Sequence, residues 1–301
     1  MSKSKSSQSS KSSKSSKSKK PKAARGWAEP ADLALRPQPL AGLECASTPG
    51  WTGDRAAAEA QLAANGAALS ELQEKLFADG RSGGTRSVLL VLQGMDTSGK
   101  GGIVRHVIGQ VDPQGVMHRS FGVPTDAERK HNYLWRIRNA LPRPGYIGVF
   151  DRSHYEDVLV ARVNELVPPE VWGKRYEEIN AFEAKVAAAG TRIVKVALVV
   201  SAQEQKARLR ERLTRKDKFW KYNPSDIDER AKWPAYREAY QAVLDRTSTD
   251  TAPWHVVPAD RKWFARLAVS QLLLDALTDL DLGWPPPSFD VKAEKARLEK
   301  A

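Results

Sequence analysis

The chain has 301 residues, of which 48 are Lys or Arg and 36 are Asp or Glu, so its formal net charge is +12. Nine basic residues and no acidic residue lie within residues 1–25, which leaves +3 for the rest of the chain. This Ser/Lys segment has almost nothing apolar to bury, so we expect it to be disordered, and it lacks the apolar run of a secretory signal. A single cysteine, Cys45, excludes an intramolecular disulfide framework, and no apolar run reaches the length of a membrane span. We therefore expect a cytoplasmic protein with no membrane partner.

The first half of the chain alternates between helical and strand patterns. Residues 26–54 contain several prolines and predict an irregular N-terminal extension. Leucines recur at helical spacing over residues 62–76, and residues 88–93 form a continuous apolar run typical of a buried central strand. A helix is predicted over residues 100–111 and a second strand over residues 116–121.

The second half continues this alternation. A capping box at residues 125–128 predicts the start of a helix whose apolar side carries Leu134, Ile137 and Leu141. The elements predicted after it are a strand at 146–151, helices at about 156–166 and 170–189, a strand at 192–200, a basic helix at 203–215, a strand at 254–258, a helix at about 260–280 and a loose tail at 283–301. This alternation predicts an α/β fold, with a parallel sheet covered by helices on both faces and ligands at the carboxyl ends of the strands.

A phosphate-binding motif lies between the predicted central strand and the helix after it. Residues 94–100 read G-x-x-x-x-G-K, with glycines at Gly94 and Gly99 and the lysine at Lys100. Such a loop wraps its backbone N–H groups around a phosphate, while the lysine and the helix N-terminus add positive potential. The alternative is a glycine-rich turn without a ligand. The candidate phosphate-binding residues of this loop are Gly94, Thr97, Ser98, Gly99 and Gly101.

The loop departs from the usual motif at the position after the lysine. Gly101 stands where a Ser or Thr hydroxyl normally binds Mg²⁺. Asp96 lies inside the loop, where a carboxylate beside polyphosphate needs a cation between them. Asp96 is therefore a candidate metal ligand, with Thr97 and Ser98 as weaker substitutes.

A second candidate site follows the strand at 146–151. Asp151 ends this apolar strand, which is where a metal-binding aspartate belongs in such folds, and Arg152 would point into the same crevice. The alternative role of Asp151 is to cap a helix that begins near Tyr155. We predict Asp96, Lys100, Asp151 and Arg152 as catalytic residues, with Mg²⁺ on the two aspartates.

The basic helix is the third feature. Arg208, Arg212 and Arg215 fall on one predicted helical face, and Lys216 follows them. These four residues are predicted to bind phosphate from a mobile lid at about 203–235. A solvated face is one alternative, and nucleic-acid binding, helped by the aromatic residues that follow, is another.

Together these motifs resemble family-2 polyphosphate kinases. The family's loop matches Gly94, Asp96, Gly99, Lys100 and Gly102, including the aspartate and the missing Ser/Thr. Further signatures occur in family order over about residues 55–280: Y-L-W-R at 133–136, F-D-R-S-x-Y at 150–155, F-E at 182–183, E-Q at 204–205, W-K at 220–221 and A-P-W at 252–254.

The resemblance implies Mg²⁺-dependent phosphoryl transfer between inorganic polyphosphate and adenine nucleotides, from AMP or ADP to ADP or ATP. It implies a three-layer αβα P-loop kinase-like sandwich with a helical lid, a catalytic domain at residues 55–282 and a homo-oligomer. Residues 152–160 are more similar to the members that accept AMP, although Asn132 stands where an acid is common.

Two other functions stay open at this point. One is an ATP-dependent nucleoside monophosphate kinase, which shares the loop and the lid. The other is non-enzymatic binding of a polyanion or nucleic acid through the tail and the basic helix. We expect nucleic-acid binding to be limited to weak contacts of the tail.

Overall fold

A computed structural model describes residues 26–301, so the disorder expected for residues 1–25 lies outside the described residues. Five parallel strands form one sheet in the order β2-β3-β1-β4-β5. The strands are β1 (Ser87–Gln93), β2 (Val116–Ser120), β3 (Ile147–Asp151), β4 (Thr191–Val199) and β5 (Trp254–Pro258). The predicted α/β fold with a parallel sheet is confirmed.

Helices cover both faces of the sheet. They are α1 (Ala31–Ala34), α2 (Arg55–Arg81), α3 (Lys100–His106), α4 (Asp126–Arg129), α5 (Trp135–Arg138), α6 (Val160–Val163), α7 (Pro169–Ala188), α8 (Ala202–Thr214), α9 (Ser225–Ala231), α10 (Trp233–Thr247), α11 (Lys262–Thr278) and α12 (Val291–Leu298). Short 3₁₀ helices lie at Ile108–Gln110, Pro113–Gly115, His154–Asp157 and Lys216–Lys221.

The central strand β1 explains why the chain forms three layers. All of its residues are buried, and successive side chains of a strand point to opposite faces. Leu90 packs with α2, α3 and α11 on one face, whereas Leu89 and Val91 pack with α7 and α10 on the other. Each such leucine or valine contributes about 1.5–3 kcal/mol on full burial, so a continuous apolar strand stabilises two cores at once.

Two predicted helices are interrupted. The helix predicted over residues 100–111 ends at His106, and a 3₁₀ turn follows it. The helix predicted from residue 125 stops after one turn at Arg129, although its capping box forms as expected. Asn132 accounts for this break, because its side chain accepts a hydrogen bond from the Leu134 N–H at 2.9 Å and offers the backbone an alternative to the helix. The prediction of a continuous helix was therefore wrong in both places.

The helix predicted at 156–166 is also wrong in its details. The chain forms a 3₁₀ turn at His154–Asp157 and a single helical turn at Val160–Val163. Ser153 caps the 3₁₀ turn by accepting from the Tyr155 N–H at 3.2 Å. The alternative role of Asp151 as the cap is therefore taken by Ser153.

The N-terminal extension packs on the fold. Trp27 and Trp51 pack edge to face with centroids 5.8 Å apart, and Leu35 and Leu40 are buried. The Val256 N–H of β5 donates to the Leu35 carbonyl at 2.7 Å, so the extension covers the outer edge of β5.

At the other end of the chain, the predicted loose tail contains α12, whose residues are all exposed. Among residues 26–301, every helix is too short or too polar to cross a bilayer.

Candidate active site

The phosphate-binding loop joins β1 to α3 at the carboxyl end of the sheet. Gly94 and Gly99 have φ values of 157° and 114°. A Cβ at Gly94 would lie 2.5 Å from Ser98 Oγ and 2.6 Å from the Leu198 carbonyl oxygen, distances that side chains do not adopt. Glycine is therefore required at the first position of the motif by close packing as well as by backbone conformation.

Lys100 folds back across the loop. Its Nζ donates to the Gly94 carbonyl at 2.6 Å and lies 3.5 Å from the Met95 carbonyl oxygen. Burial lowers the pKa of the Lys100 ammonium, and the nearby carboxylate of Asp151 opposes that shift. An ammonium held only by carbonyl groups gains from an incoming anion, so Lys100 is placed to bind phosphate.

The loop also contains polar atoms that have no partner within residues 26–301. The hydroxyls of Thr97 and Ser98 are buried and make no hydrogen bond. A Cβ at Gly101 or Gly102 would meet no atom within 4 Å, so the space beside the start of α3 is open. Buried hydroxyls without partners beside an open space fit a ligand that accepts hydrogen bonds.

The sequence-predicted catalytic residues converge at the ends of β1 and β3. Asp151 pairs in register with Leu92, two residues before Gly94. Arg152 Nη2 contacts Asp96 Oδ1 at 3.1 Å, and both side chains remain partly accessible. Burial opposes the charge of Arg152, but Glu156, Asp96 and Asp151 together raise the pKa of its guanidinium. The structure thus brings Asp96, Asp151 and Arg152 together with the loop.

Glu156 is a site residue that the sequence analysis missed. Its Oε1 accepts a hydrogen bond from Gln93 Nε2 at 2.9 Å. Burial raises the pKa of Glu156, while Arg152 and Lys100 lower it. Only the folding of the 3₁₀ turn at 154–157 brings this carboxyl to the end of β1, and no spacing in the sequence signals that.

Arg208 is placed differently from the prediction. Its five N–H donors are matched by five acceptors: Nε contacts Glu204 at 2.8 Å, and the two terminal nitrogens contact the carbonyls of Thr97, Ser98, Ala259 and Asp260 at 2.7–3.3 Å. The side chain is buried. In this structure Arg208 holds the phosphate loop to the end of β5 and has no donor left for a phosphate.

The other three predicted phosphate-binding residues of the basic segment are tied to carboxylates or exposed. Arg212 contacts Asp226 at 3.0 Å, and Arg215 contacts Asp217 at 2.7 Å. Arg215 has a ψ of 117° and lies past the end of α8, so the predicted single face of three arginines does not form. Lys216 is exposed.

Two residues of the predicted lid segment, Asp226 and Gln205, lie near Asp96 of the loop. Burial raises the pKa of the Asp226 carboxyl, and the nearby charge of Asp96 raises it further. Gln205 Nε2 also donates to the Asp96 carbonyl at 3.2 Å. Neither residue was predicted as a site residue. Gln205 lies 109 residues from Asp96, so no local spacing signals their contact.

The carboxylates at the site fit a divalent cation bound together with phosphate. Within the described residues no group of three or more His, Cys, Asp or Glu side chains is arranged to hold a metal alone. Mg²⁺ usually takes one or two carboxylates, with substrate phosphates and waters as its other ligands. Asp96 and Asp151 supply that number, and the unpartnered buried Oε1 of Gln93 adds a neutral oxygen.

A phosphate loop after the central strand and an acid at the end of the neighbouring strand define a phosphotransferase of the P-loop kinase class. Residues 52–282 match the model of the polyphosphate kinase 2 family. The chain belongs to that family and is a kinase that transfers phosphoryl groups between polyphosphate and nucleotides.

Individual relatives agree with this assignment. The chain is 44% identical over 252 residues to the AMP/ADP-polyphosphate phosphotransferase of Meiothermus ruber, covering 84% of this chain and 92% of that protein. It is 42% identical over 229 residues to the ADP-polyphosphate phosphotransferase of Rhodopseudomonas palustris, covering 72% of this chain and 78% of that protein. The crystal structure of polyphosphate kinase 2 from Arthrobacter aurescens TC1 superposes with a TM-score of 0.90 at 51% identity, covering 93% of this chain and all of that one.

Proposed function

We propose that the chain transfers a phosphoryl group from inorganic polyphosphate to AMP or ADP, giving ADP or ATP, with Mg²⁺ held by Asp96 and Asp151. The observation that carries this proposal is the convergence of Lys100, Arg152 and both aspartates around the open end of one phosphate loop. The named activities of the relatives from M. ruber and R. palustris support AMP and ADP as acceptors.

The nucleophile is a phosphate oxygen of the nucleotide, which is already ionised at neutral pH. In the transfer, this oxygen forms a bond to the terminal phosphorus of polyphosphate, while the bond from that phosphorus to the bridging oxygen breaks. The polyphosphate leaves one phosphate shorter. The step needs in-line positioning and neutralisation of charge more than a general base.

Lys100 and Arg152 supply that neutralisation. The Lys100 ammonium exchanges its contact with the Gly94 carbonyl for a phosphate oxygen, which is a stronger acceptor because it is charged. Arg152, now paired with Asp96, turns toward the transferred group. Mg²⁺, which Asp96 and Asp151 would hold, would supply further positive charge to offset the negative charge of the phosphate groups.

The lid residues take two separate roles in the proposal. Arg208 fixes the loop through its backbone carbonyls rather than contacting substrate. Arg212, Arg215 and Lys216 contact polyphosphate once the lid closes. Arg215 and Lys216 are exposed, whereas Arg212, whose side chain is 22% exposed, exchanges its contact with Asp226 for phosphate. Three predictions remain part of the proposal: a lid at 203–235, a catalytic domain at 55–282 and assembly as a homo-oligomer. A cytoplasmic location is proposed as well, because the proposed substrates include nucleotides.

The product spectrum tests the proposal. Purified protein with polyphosphate and Mg²⁺ is incubated with AMP and ADP separately, and the nucleotides are separated by chromatography. We expect ADP from AMP and ATP from ADP, and product formation about 10²–10³-fold slower when Lys100→Ala replaces the wild-type chain. Transfer from ATP but not from polyphosphate would instead support a nucleoside monophosphate kinase, and binding without turnover would contradict both.

A further inference from the structure

A buried ionic cluster lies directly behind the candidate active site. Lys195 Nζ of β4 contacts Glu183 Oε2 of α7 at 2.6 Å, with side chains 0% and 2% exposed. Glu183 Oε1 accepts from the Tyr155 hydroxyl at 2.8 Å and lies 3.0 Å from His154 Nε2. Tyr155 and His154 are buried as well. One carboxylate thus gathers three side chains from two segments of the chain.

Lys195 and Glu183 are fully hydrogen-bonded within the cluster, whereas His154 Nδ1 is buried and has no hydrogen-bond partner among the described residues. Lys195 Nζ has three oxygen acceptors, Glu183 at 2.6 Å, the Thr247 carbonyl at 2.7 Å and the Tyr155 hydroxyl at 2.9 Å. Three acceptors match the three protons of an ammonium. Burial alone would raise the pKa of Glu183, but Lys195 and His154 hold it below its ordinary value. Glu183 is therefore an ionised carboxylate with both oxygens engaged.

This cluster is joined covalently to the site. Asp151 and Arg152 are followed immediately by Ser153, His154 and Tyr155. Arg152 adopts a left-handed backbone with φ of 64°, a conformation that costs a residue other than glycine about 1–2 kcal/mol. Such a conformation persists only where the surrounding structure fixes it. Two sets of contacts provide that fixation. The Arg152 N–H donates to the Leu92 carbonyl at 3.0 Å, and the side chains two and three residues further on, His154 and Tyr155, are held by Glu183.

We infer that Glu183 is a positioning residue for phosphoryl transfer. It anchors His154 and Tyr155, and thereby sets the backbone from which Arg152 reaches Asp96 and the transferred phosphate. Lys195 is the counter-ion that keeps the anchor charged inside the core. This inference rests on the proposed role of Arg152, and the experiment separates the two.

The experiment measures kcat and KM for Glu183→Gln, Arg152→Lys and the double variant, together with the melting temperature of each. Glu183→Gln keeps the size of the side chain and loses its charge. We expect kcat of this variant to fall between about 10- and 100-fold, because a small misplacement of a reacting group is enough for such losses. The KM for nucleotide should change by less than about threefold, since Arg152 acts mainly in the transition state.

The double variant distinguishes positioning from simple destabilisation. If Glu183 acts through Arg152, then Glu183→Gln lowers kcat much less in the Arg152→Lys background than in the wild-type chain. Equal losses in both backgrounds, or an unchanged kcat in Glu183→Gln, would overturn the inference. A normal kcat in Arg152→Lys would instead contradict the proposed site.

Two further variants keep the test decisive. Asn65→Ala removes a buried amide that contacts Ser270 at 3.0 Å on the opposite face of the sheet, and should lower the melting temperature without changing kcat. Tyr155→Phe removes one hydroxyl from the cluster and keeps the ring. If Glu183→Gln does not fold, a lowered kcat in Tyr155→Phe at a wild-type melting temperature supports the inference, and an unchanged kcat refutes it.

Discussion

Arg208 offers a direct test of whether a lid arginine holds the protein or the substrate. Its guanidinium meets five acceptors, four of them backbone carbonyls of the phosphate loop and of the end of β5. In Arg208→Lys, an ammonium with three protons leaves at least two of these acceptors unmatched. A buried acceptor left without a partner costs about 1–3 kcal/mol, so we expect the loss of two to lower the free energy of unfolding by about 2–6 kcal/mol.

The assay pairs urea unfolding with steady-state kinetics in which polyphosphate is varied. Arg208→Lys should lose stability and kcat together, because the loop is no longer fixed, while the KM for polyphosphate stays near the wild-type value. Arg210→Lys is the matched control, since it makes the same chemical change at an exposed position of the same helix. A stable Arg208→Lys variant whose only defect is a raised KM for polyphosphate would refute the reasoning and restore Arg208 as a phosphate ligand.

Three further predictions concern charge. Lys100→Met should lower kcat by about 10²–10³-fold, as is common when one positive charge beside the transferred group is removed, without lowering the melting temperature, since burial already lowers the pKa of this ammonium. A kcat within about threefold of wild type would place the phosphate elsewhere. Burial raises the pKa of Asp275 from 3.8 to about 6, so the folded state binds this proton more tightly than the unfolded state and loses stability as pH rises from about 4 to 6. In urea unfolding, Asp275→Asn should therefore be more stable than wild type by up to about 3 kcal/mol above pH 6 and no more stable than wild type below pH 4. Deleting residues 1–25 removes nine positive charges and should weaken binding of polyphosphate at low salt while leaving kcat unchanged; a slower enzyme at high salt would give the tail a catalytic role.

The strands and the phosphate loop were predictable because each depends on a local pattern. The apolar run at 88–93 is typical of a buried strand, and the structure has one there. The motif that follows it requires glycine at position 94, and in the structure a side chain at Gly94 would collide with Ser98 and Leu198. The positions of Asp151 and Arg152 were predictable for the same reason, since Asp151 ends an apolar strand and Arg152 follows it.

The environment of each charged side chain was not predictable. Arg208 looks like any exposed arginine of a basic helix, yet its acceptors at Thr97 and Ala259 lie 111 and 51 residues away. Glu156 reaches the site only through a 3₁₀ turn that interrupts a predicted helix. Side-chain competition, as at Asn132, decided where helices stopped, and spacing alone does not show which side chain will compete.

The contact between Leu35 and β5 has a consequence for how the chain avoids self-association. All five residues of β5 are buried, and on its outer side the Val256 N–H is paired with the Leu35 carbonyl. An apolar strand with unpaired N–H and C=O groups is a template on which another chain can add a strand. A truncated chain that begins at residue 52, where the family match starts, would expose that template. The extension thus covers the outermost strand at a point where another chain could pair with it, and it lies before the residues that the family model matches.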